Sequence, residues 1–178
     1  MTWTRIVAIP LIVGVFYLPL SEPMRNLIAT VMFIVFAATD WLDGFLARRL
    51  NQMSAFGAFL DPVADKLIVV AALLALLYLN RVDMIVALII VGREIAISAL
   101  REWMAKVGQA KSVAVAFVGK LKTVAQMVAI PLLLYHDQLL GIDCQWLGTV
   151  LINVAAVLTV MSMLYYLRKA LPYASVRS

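Results

Sequence analysis

Residues 40–65 read DWLDGFLARRLNQMSAFGAFLDPVAD, and they place four aspartates, Asp40, Asp43, Asp61 and Asp65, between long apolar segments. The first pair is three residues apart and the second pair four, so each pair shares one face if its segment is helical. An ionised carboxylate at membrane depth is costly, and it usually lines a cavity or has a partner. The stretch therefore predicts two neighbouring helices whose acidic faces meet at one site.

The composition around this stretch is that of a membrane protein. Of the 178 residues, 65% are hydrophobic and only 14% are charged, and the mean hydropathy is +0.99. A soluble domain is about half apolar and about a quarter charged. Because the chain has so much apolar surface, it requires lipid as its solvent. We expect one all-α integral membrane domain over residues 1–178.

Polar breaks divide the chain into segments long enough to cross a bilayer, which takes about 20 helical residues. The predicted spans are residues 2–20, 25–48, 57–79, 83–104, 113–135 and 146–169. Basic residues crowd one set of span ends, whereas Arg25 and Arg81 lie at the other set. Because positive residues stay cytoplasmic, we expect six transmembrane helices with both termini cytoplasmic. The protein would lie in the inner membrane of the cell, with the aspartates facing the cytoplasm.

Four carboxylates in one place would repel one another unless cations lay between them. The chain has one His and one Cys, and hard oxygen ligands without nitrogen or sulfur select Mg²⁺, Mn²⁺ or Ca²⁺. The small residues Gly44, Ala47, Gly57 and Ala58 leave space beside the carboxylates, although they would equally allow close helix packing. The residue types therefore indicate a divalent-metal site with room for a bound molecule.

The same stretch matches the pattern D-x-x-D-G-x-x-A-R-x8-G-x-x-x-D-x-x-x-D at all eight specified positions. In this pattern the chain resembles the CDP-alcohol phosphotransferase family, whose membrane core also has six spans. The resemblance implies that an alcohol attacks the β-phosphate of a CDP-linked donor and releases CMP. It also implies a homodimer.

The resemblance further assigns roles to the residues of the motif. It implies that Asp40, Asp43, Asp61 and Asp65 hold two Mg²⁺ or Mn²⁺ ions, and that Asp65 is also the catalytic base for the alcohol. The residues implied to contact the CDP moiety are Gly44, Ala47, Arg48 and Gly57.

The fourth predicted span contains cations at unusual depth. It reads VGREIAISALREW over residues 91–103, with Arg93 and Arg101 eight residues apart on one helical face. Arg93 lies about 12 Å deeper than Arg101 by helix rise, so we expect it to face an aqueous cavity or an acidic partner. Glu94 and Glu102 are the candidate partners for ion pairs with these arginines.

The fifth span adds Lys120, Lys122 and Thr123 at a similar depth, in the segment GKLKT. An acceptor that carries a phosphate accounts for this cluster better than a neutral alcohol does. These stretches also resemble family members that join CDP-diacylglycerol to sn-glycerol 3-phosphate, giving phosphatidylglycerophosphate and CMP. The cluster of cations, together with this resemblance, therefore predicts that Arg93, Arg101, Lys120, Lys122 and Thr123 bind glycerol 3-phosphate.

Two other functions remain open on the sequence. One is the same chemistry with another acceptor, such as the phosphatidylglycerol used by cardiolipin synthases. The other is a cation transporter that uses the aspartates as an ion pathway, but transport usually needs polar groups through the full membrane depth. The net charge of +5 fits anionic lipid head groups and phosphate-bearing substrates, so no nucleic-acid partner is expected.

Overall fold

The computed structural model describes residues 2–50, 55–109 and 117–173, together with the side chains of 7–39, 63–64, 66–109, 119 and 121–173. These residues are almost entirely helical, as predicted. The helices are α1 (Thr2–Gly14), α2 (Glu22–Leu50), α3 (Ala55–Tyr78), α4 (Met84–Lys106), α5 (Phe117–Tyr135) and α6 (Cys144–Ala170). Helices α2 to α6 lie within a few residues of the predicted segments.

The first helix is shorter than predicted. It ends at Gly14, a 3₁₀ turn follows over Val15–Tyr17, and Leu18 is extended, with φ −73° and ψ 146°. Pro19 accounts for the extended Leu18, because a proline disfavours helical geometry in the residue before it, and helical geometry therefore stops after Tyr17. The prediction of one continuous helix to residue 20 is therefore wrong.

The described helices pack against one another in several pairs. The most extensive packing is between α5 and α6, followed by α1 with α3, α4 with α6 and α2 with α5. A large apolar core joins them, and among the described side chains its fully buried members include Phe33, Leu73, Ile90, Ile130 and Ile152. Helices α2, α3 and α4 each pack against α5 or α6, so these two helices form the centre of the described fold.

A small β-hairpin connects α5 to α6. Strands Gln138–Leu139 and Ile142–Asp143 pair antiparallel, and the two turn residues, Leu140 and Gly141, have φ of 52° and 82°. Positive φ at both positions is characteristic of a type I′ turn. We call this side of the molecule, which carries the connections 18–21, 79–83 and 136–143, the hairpin end.

The end of α3 directs Arg81 into the structure. Asn80 adopts φ 57°, and its N–H donates to the carbonyl of Leu77 while that of Arg81 donates to Leu76 at 2.9 Å. These two bonds form a Schellman motif, in which an asparagine tolerates the left-handed conformation that ends the helix. The helix therefore ends just before Arg81, whose side chain follows the turn.

The buried side chain of Arg81 connects three elements at the hairpin end. Its Nη1 donates to the carbonyl oxygens of Leu133 (3.2 Å) and Leu134 (2.8 Å), and its Nη2 donates to Asn26 (2.9 Å) and Glu22 (3.2 Å). The last carbonyls of a helix lack intrahelical donors and carry partial negative charge. Arg81 supplies those donors to α5 and ties them to α2. The contacts of Arg81 within the protein thus explain why a basic residue lies at this end, where few basic residues are expected.

The described surface is apolar while buried positions are charged. Leu88 of α4, Val124 of α5 and Val157 of α6 are exposed, whereas Arg93 and Lys122 are buried. This arrangement is the reverse of a soluble protein, in which large exposed apolar patches are rare. It is the arrangement expected of helices surrounded by lipid.

One helix among the described residues is long and apolar enough by itself to cross a membrane. It covers Cys144–Tyr173, with 30 residues and a mean hydropathy of 2.1. Trp146 and Tyr165 are both exposed near its ends, and 19 residues of helix separate them by roughly 29 Å, the thickness of a hydrocarbon core. Aromatic residues favour both membrane interfaces. The shorter apolar helices are Val7–Tyr17, Lys66–Tyr78 and Leu121–Tyr135.

Candidate functional site

The four motif aspartates lie on two helices. The backbone of α2 is helical through Leu50, and that of α3 is helical from Ala55 onward. Asp40 and Asp43 therefore lie about one turn apart on α2, as the sequence predicted. The predicted site residues whose side chains lie outside the described part of the structure are Asp40, Asp43, Gly44, Ala47, Arg48, Gly57, Asp61, Asp65 and Lys120. The prediction that the two acidic helix faces meet concerns these side chains, so it also lies outside the described part of the structure.

A buried polar cluster lies between α4, α5 and α6. We call it the cationic cluster and define it as Arg93, Glu94, Arg101, Lys122, Ser162 and Tyr166. It brings together three of the predicted acceptor-site cations, from two helices. Arg93 is 7% exposed and Lys122 3%, so neither side chain reaches the protein surface.

Glu94 joins the two most buried cations of the cluster. Its Oε1 accepts a hydrogen bond of 3.2 Å from Nη1 of Arg93, and the same oxygen accepts from Nζ of Lys122. Arg93 and Glu94 are adjacent on α4, whereas Lys122 is on α5, so the carboxylate bridges two helices. One of the two acidic partners predicted for the arginines is thus confirmed.

Tyr166 of α6 lies between the two arginines of α4. Its ring centroid is 6.0 Å from Cζ of Arg93 and 5.4 Å from Cζ of Arg101, and its hydroxyl accepts from Nη2 of Arg101 at 3.4 Å. Ser162, one turn earlier on α6, accepts from Nη2 of Arg93 at 3.3 Å. An aromatic face attracts a guanidinium by its negative quadrupole. The two arginines are therefore held against α6.

Thr123 and Glu102, which the sequence also singled out, have partners within their own helices. Thr123 is exposed, and its hydroxyl donates to the carbonyl of Gly119 in its own helix at 3.0 Å. Glu102, the second candidate partner for the arginines, pairs instead with Lys106 at 2.9 Å. Because Glu102 and Lys106 are one helical turn apart on the surface, this pair forms within α4 alone.

Sequence reasoning missed the contribution of α6. Thr159, Ser162 and Tyr166 are all buried, at spacings of three and four residues that place them on one helical face. Polar residues repeated at that period inside a span apolar enough to cross a membrane were the available signal. Gln126, one turn after Lys122 on α5, shows the same pattern and is 4% exposed.

Several polar atoms in and around the cluster are buried without a hydrogen-bond partner. They are Nε of Arg93, Nε of Arg101, Oε1 of Gln126 and Oγ1 of Thr159. A buried donor without a partner is destabilising, and such groups usually meet a water, an ion or a ligand. Two guanidiniums with spare N–H donors form a site suited to a phosphate, which arginine can bind in bidentate fashion.

The motif, the buried cations and the helical fold together define a class of protein. Residues 1–164 match the sequence profile of the CDP-alcohol phosphatidyltransferase family, and the chain belongs to that family. The family is membrane-embedded and depends on divalent metal. Among the side chains that the structure describes, no three His, Cys, Asp or Glu converge on one point.

Individual relatives are similar along nearly the whole chain. Proteins of Salmonella choleraesuis (strain SC-B67), Shigella flexneri serotype 5b and Escherichia coli (strain K12) are each 49% identical to it over 173 residues. The alignment covers 96% of this chain and 92% of each relative. All three relatives are named CDP-diacylglycerol–glycerol-3-phosphate 3-phosphatidyltransferase.

Proposed function

We propose that this protein transfers a phosphatidyl group from CDP-diacylglycerol to sn-glycerol 3-phosphate, giving phosphatidylglycerophosphate and CMP in phospholipid biosynthesis. The observation that carries this proposal is the 49% identity, over 96% of the chain, to relatives named for that reaction. The buried cations of α4 and α5 support it independently, because they suit an acceptor with a phosphate.

The proposal places the protein in the inner membrane as six transmembrane helices with both termini cytoplasmic. The apolar exterior of α4, α5 and α6 supports lipid as the solvent. The two basic residues that depart from the charge bias have structural roles: Arg81 binds the end of α5, and Arg25 donates to the carbonyl of Phe16 at 3.1 Å. With these two accounted for, the remaining basic residues favour one cytoplasmic side. The active protein is proposed to be a homodimer.

Asp40, Asp43, Asp61 and Asp65 are the residues that would hold two divalent ions, Mg²⁺ or Mn²⁺. The donor set fits such ions, since it is made of carboxylates alone, at spacings of about one turn on helices α2 and α3. When bound, the ions neutralise charge on the diphosphate and on the departing CMP. In this arrangement Gly44, Ala47, Arg48 and Gly57 would receive the CDP moiety, with Arg48 donating to its phosphate.

The proposed step forms one bond and breaks one. A free hydroxyl oxygen of glycerol 3-phosphate attacks the β-phosphorus of CDP-diacylglycerol, and the bond from that phosphorus to the bridging oxygen breaks, so CMP leaves. The carboxylate of Asp65 takes the proton of the attacking hydroxyl. A positioned base usually contributes about 10²- to 10⁴-fold to such a step.

The acceptor phosphate is proposed to bind Arg93, Arg101 and Lys122 of the cationic cluster, with Lys120 beside them. The buried Nε atoms of Arg93 and Arg101 have no protein partner, so these donors remain for a ligand. Thr123 stays a candidate from the family resemblance, and its hydroxyl would have to leave the carbonyl of Gly119 to contact a substrate.

The proposed function is tested by CMP release from CDP-diacylglycerol by the purified protein in detergent or lipid. The assay compares glycerol 3-phosphate with glycerol, inositol, serine and phosphatidylglycerol as acceptors. We expect release with glycerol 3-phosphate to exceed that with each other alcohol by at least about 100-fold, as the loss of a charged group from a buried site implies. Release with phosphatidylglycerol instead would identify a cardiolipin synthase reaction. Without release from any acceptor, the proposed function is wrong.

A further inference from the structure

Glu94 has an unusual position within the cationic cluster. Among the described residues of the cluster it is the one carboxylate, and its side chain is 17% exposed. It contacts Arg93 of its own helix and Lys122 of α5 through the same oxygen atom. A negative group beside a site for an anionic substrate would by itself weaken binding, because like charges repel.

Stability alone does not account for this arrangement. A buried ion pair contributes little net free energy, because removing both charges from water costs about as much as their attraction returns. The cluster also remains incomplete, since the buried Nε atoms of Arg93 and Arg101 have no protein partner. Glu94 therefore does not satisfy every N–H donor of the cations, and the two Nε donors are left for another group.

The geometry suggests what Glu94 does instead. Without a carboxylate between them, two buried cations such as Arg93 and Lys122 would repel and move apart. With it, the cations of two different helices are held next to each other before any substrate arrives. Preorganised donors bind more tightly, because the ligand does not have to supply the free energy of ordering them.

We propose that Glu94 is a positioning residue for the acceptor phosphate, and this inference rests on the proposed function. Its carboxylate holds Arg93 of α4 and Lys122 of α5 next to each other, so that both can donate to one phosphate, while it makes no contact with the phosphate itself. Tyr166 and Ser162 hold the other side of the arginines. Glu94 thereby contributes to selection of a phosphorylated acceptor over a neutral one.

The test compares Glu94→Gln and Glu94→Asp with the wild type in steady-state CMP release. Glutamine keeps the size of the side chain but removes its charge, so the KM for glycerol 3-phosphate should rise about 10- to 100-fold. The kcat and the KM for CDP-diacylglycerol should stay within about threefold. Aspartate keeps the charge but is one methylene shorter, so it should hold the two cations less closely, and its acceptor KM should lie between those of the wild type and Glu94→Gln.

The matched control is Glu102→Gln. Glu102 lies on the same helix and forms its pair with Lys106 on the surface, so this variant should keep both KM values. A purely structural role of Glu94 would reduce the yield and stability of folded protein but would leave the acceptor KM of the folded fraction unchanged.

The outcomes separate the two proposals. If the wild type releases no CMP with glycerol 3-phosphate, the proposed function fails. If the wild type is active and Glu94→Gln has a normal acceptor KM, or shifts the acceptor and donor KM equally, the role of Glu94 is overturned. Should Glu94→Gln fail to fold, Glu94→Asp decides alone: an acceptor-specific rise of about 3- to 10-fold supports the role, and a wild-type acceptor KM contradicts it.

Discussion

Nη1 of Arg81 donates a hydrogen bond of 2.8 Å to the carbonyl oxygen of Leu134, which lies 53 residues further along the chain. The bond connects the α3–α4 turn to the C-terminal end of α5. The bond lies at the hairpin end. The cationic cluster is further away, because its α5 member, Lys122, lies near the opposite end of that helix. The two regions can therefore be perturbed separately.

We predict that Arg81→Met lowers the free energy of unfolding without changing substrate affinity. The substitution leaves the carbonyls of Leu133 and Leu134 without their donor in a buried place, which costs roughly 2–4 kcal/mol. Reversible unfolding in mixed detergent measures this loss, and KM values for both substrates report on the site. The control is Arg25→Met, which removes a single bond to Phe16 and should cost about half as much. An equal loss in the two variants would contradict the prediction.

We predict that Gly148→Ala destabilises the packing of α5 against α6. A Cβ at this position would lie 2.8 Å from Cγ of Leu133 and 3.2 Å from Cβ of Leu132, closer than van der Waals contact allows. Overpacking of this kind costs about 1–3 kcal/mol. Thermal unfolding in detergent measures the change.

The matched control for that variant is Gly92→Ala in α4. No atom lies within 4 Å of a Cβ built on Gly92, and alanine favours a helix over glycine by up to about 1 kcal/mol. This variant should therefore be as stable as the wild type or more so. If both substitutions destabilise the protein alike, the close approach at Gly148 is not the cause.

His136 predicts a pH dependence of stability. It lies just after α5, and burial, followed by the nearby charge of Arg81, lowers the pKa of its imidazole below the ordinary 6.5, against smaller opposing effects of Asp137, Glu22 and Asp143. Because the folded pKa is lower than the unfolded one, the neutral histidine stabilises the fold fully above about pH 6.5. This contribution is lost as the pH falls through the folded pKa.

The measurement is the unfolding free energy at pH 7.5 and pH 5.5 for the wild type and His136→Asn. His136 has φ 68°, a conformation that asparagine tolerates, so the variant removes the titration with little strain. The wild type should lose more stability than the variant between the two pH values. Identical pH profiles would show that His136 has no part in the effect.

Metal removal tests the four motif aspartates. We predict that EDTA abolishes CMP release and that Mg²⁺ or Mn²⁺ restores it, because four carboxylates that converge as proposed would need cations between them. Asp40→Asn should lose turnover to the same extent while the protein still inserts and folds. Full activity in metal-free buffer would end the two-metal proposal.

The catalytic base is tested separately, since Asp65→Asn should slow the chemical step by about 100-fold or more.

Arg93→Gln tests the acceptor site directly. Losing one charged donor to a confined phosphate should reduce kcat/KM for glycerol 3-phosphate by about 30- to 1,000-fold. The KM for CDP-diacylglycerol should change little, because the nucleotide is proposed to bind near Arg48. Steady-state kinetics against each substrate measures the difference. Equal changes in the kinetic constants for donor and acceptor would show that Arg93 has a structural role. The buried cations would then no longer support glycerol 3-phosphate as the acceptor.

The helices were largely predictable because their signals are local. Apolar segments of sufficient length, separated by polar breaks, predicted α2 to α6 within a few residues. The exception, the end of the first helical segment, also had a local cause: Pro19 favours the extended conformation of Leu18, so helical geometry stops after Tyr17 and not at residue 20. The tight turn at Leu140 was missed, because its geometry is unusual for leucine.

The sequence alone determined the spacing of the four aspartates, the family they indicate and the presence of cations deep in the fourth and fifth segments, since these depend only on residue order and helical period. The partners of those cations were decided by tertiary structure. Glu94 and Glu102 were equal candidates in the sequence, yet Glu94 meets Lys122 of α5 and Glu102 meets Lys106 of its own turn. Which face of α4 turns inward depends on its packing against α6, and in the described structure Tyr166 lies there between Arg93 and Arg101. A hydrogen bond between residues far apart in the chain exists only after the helices have packed.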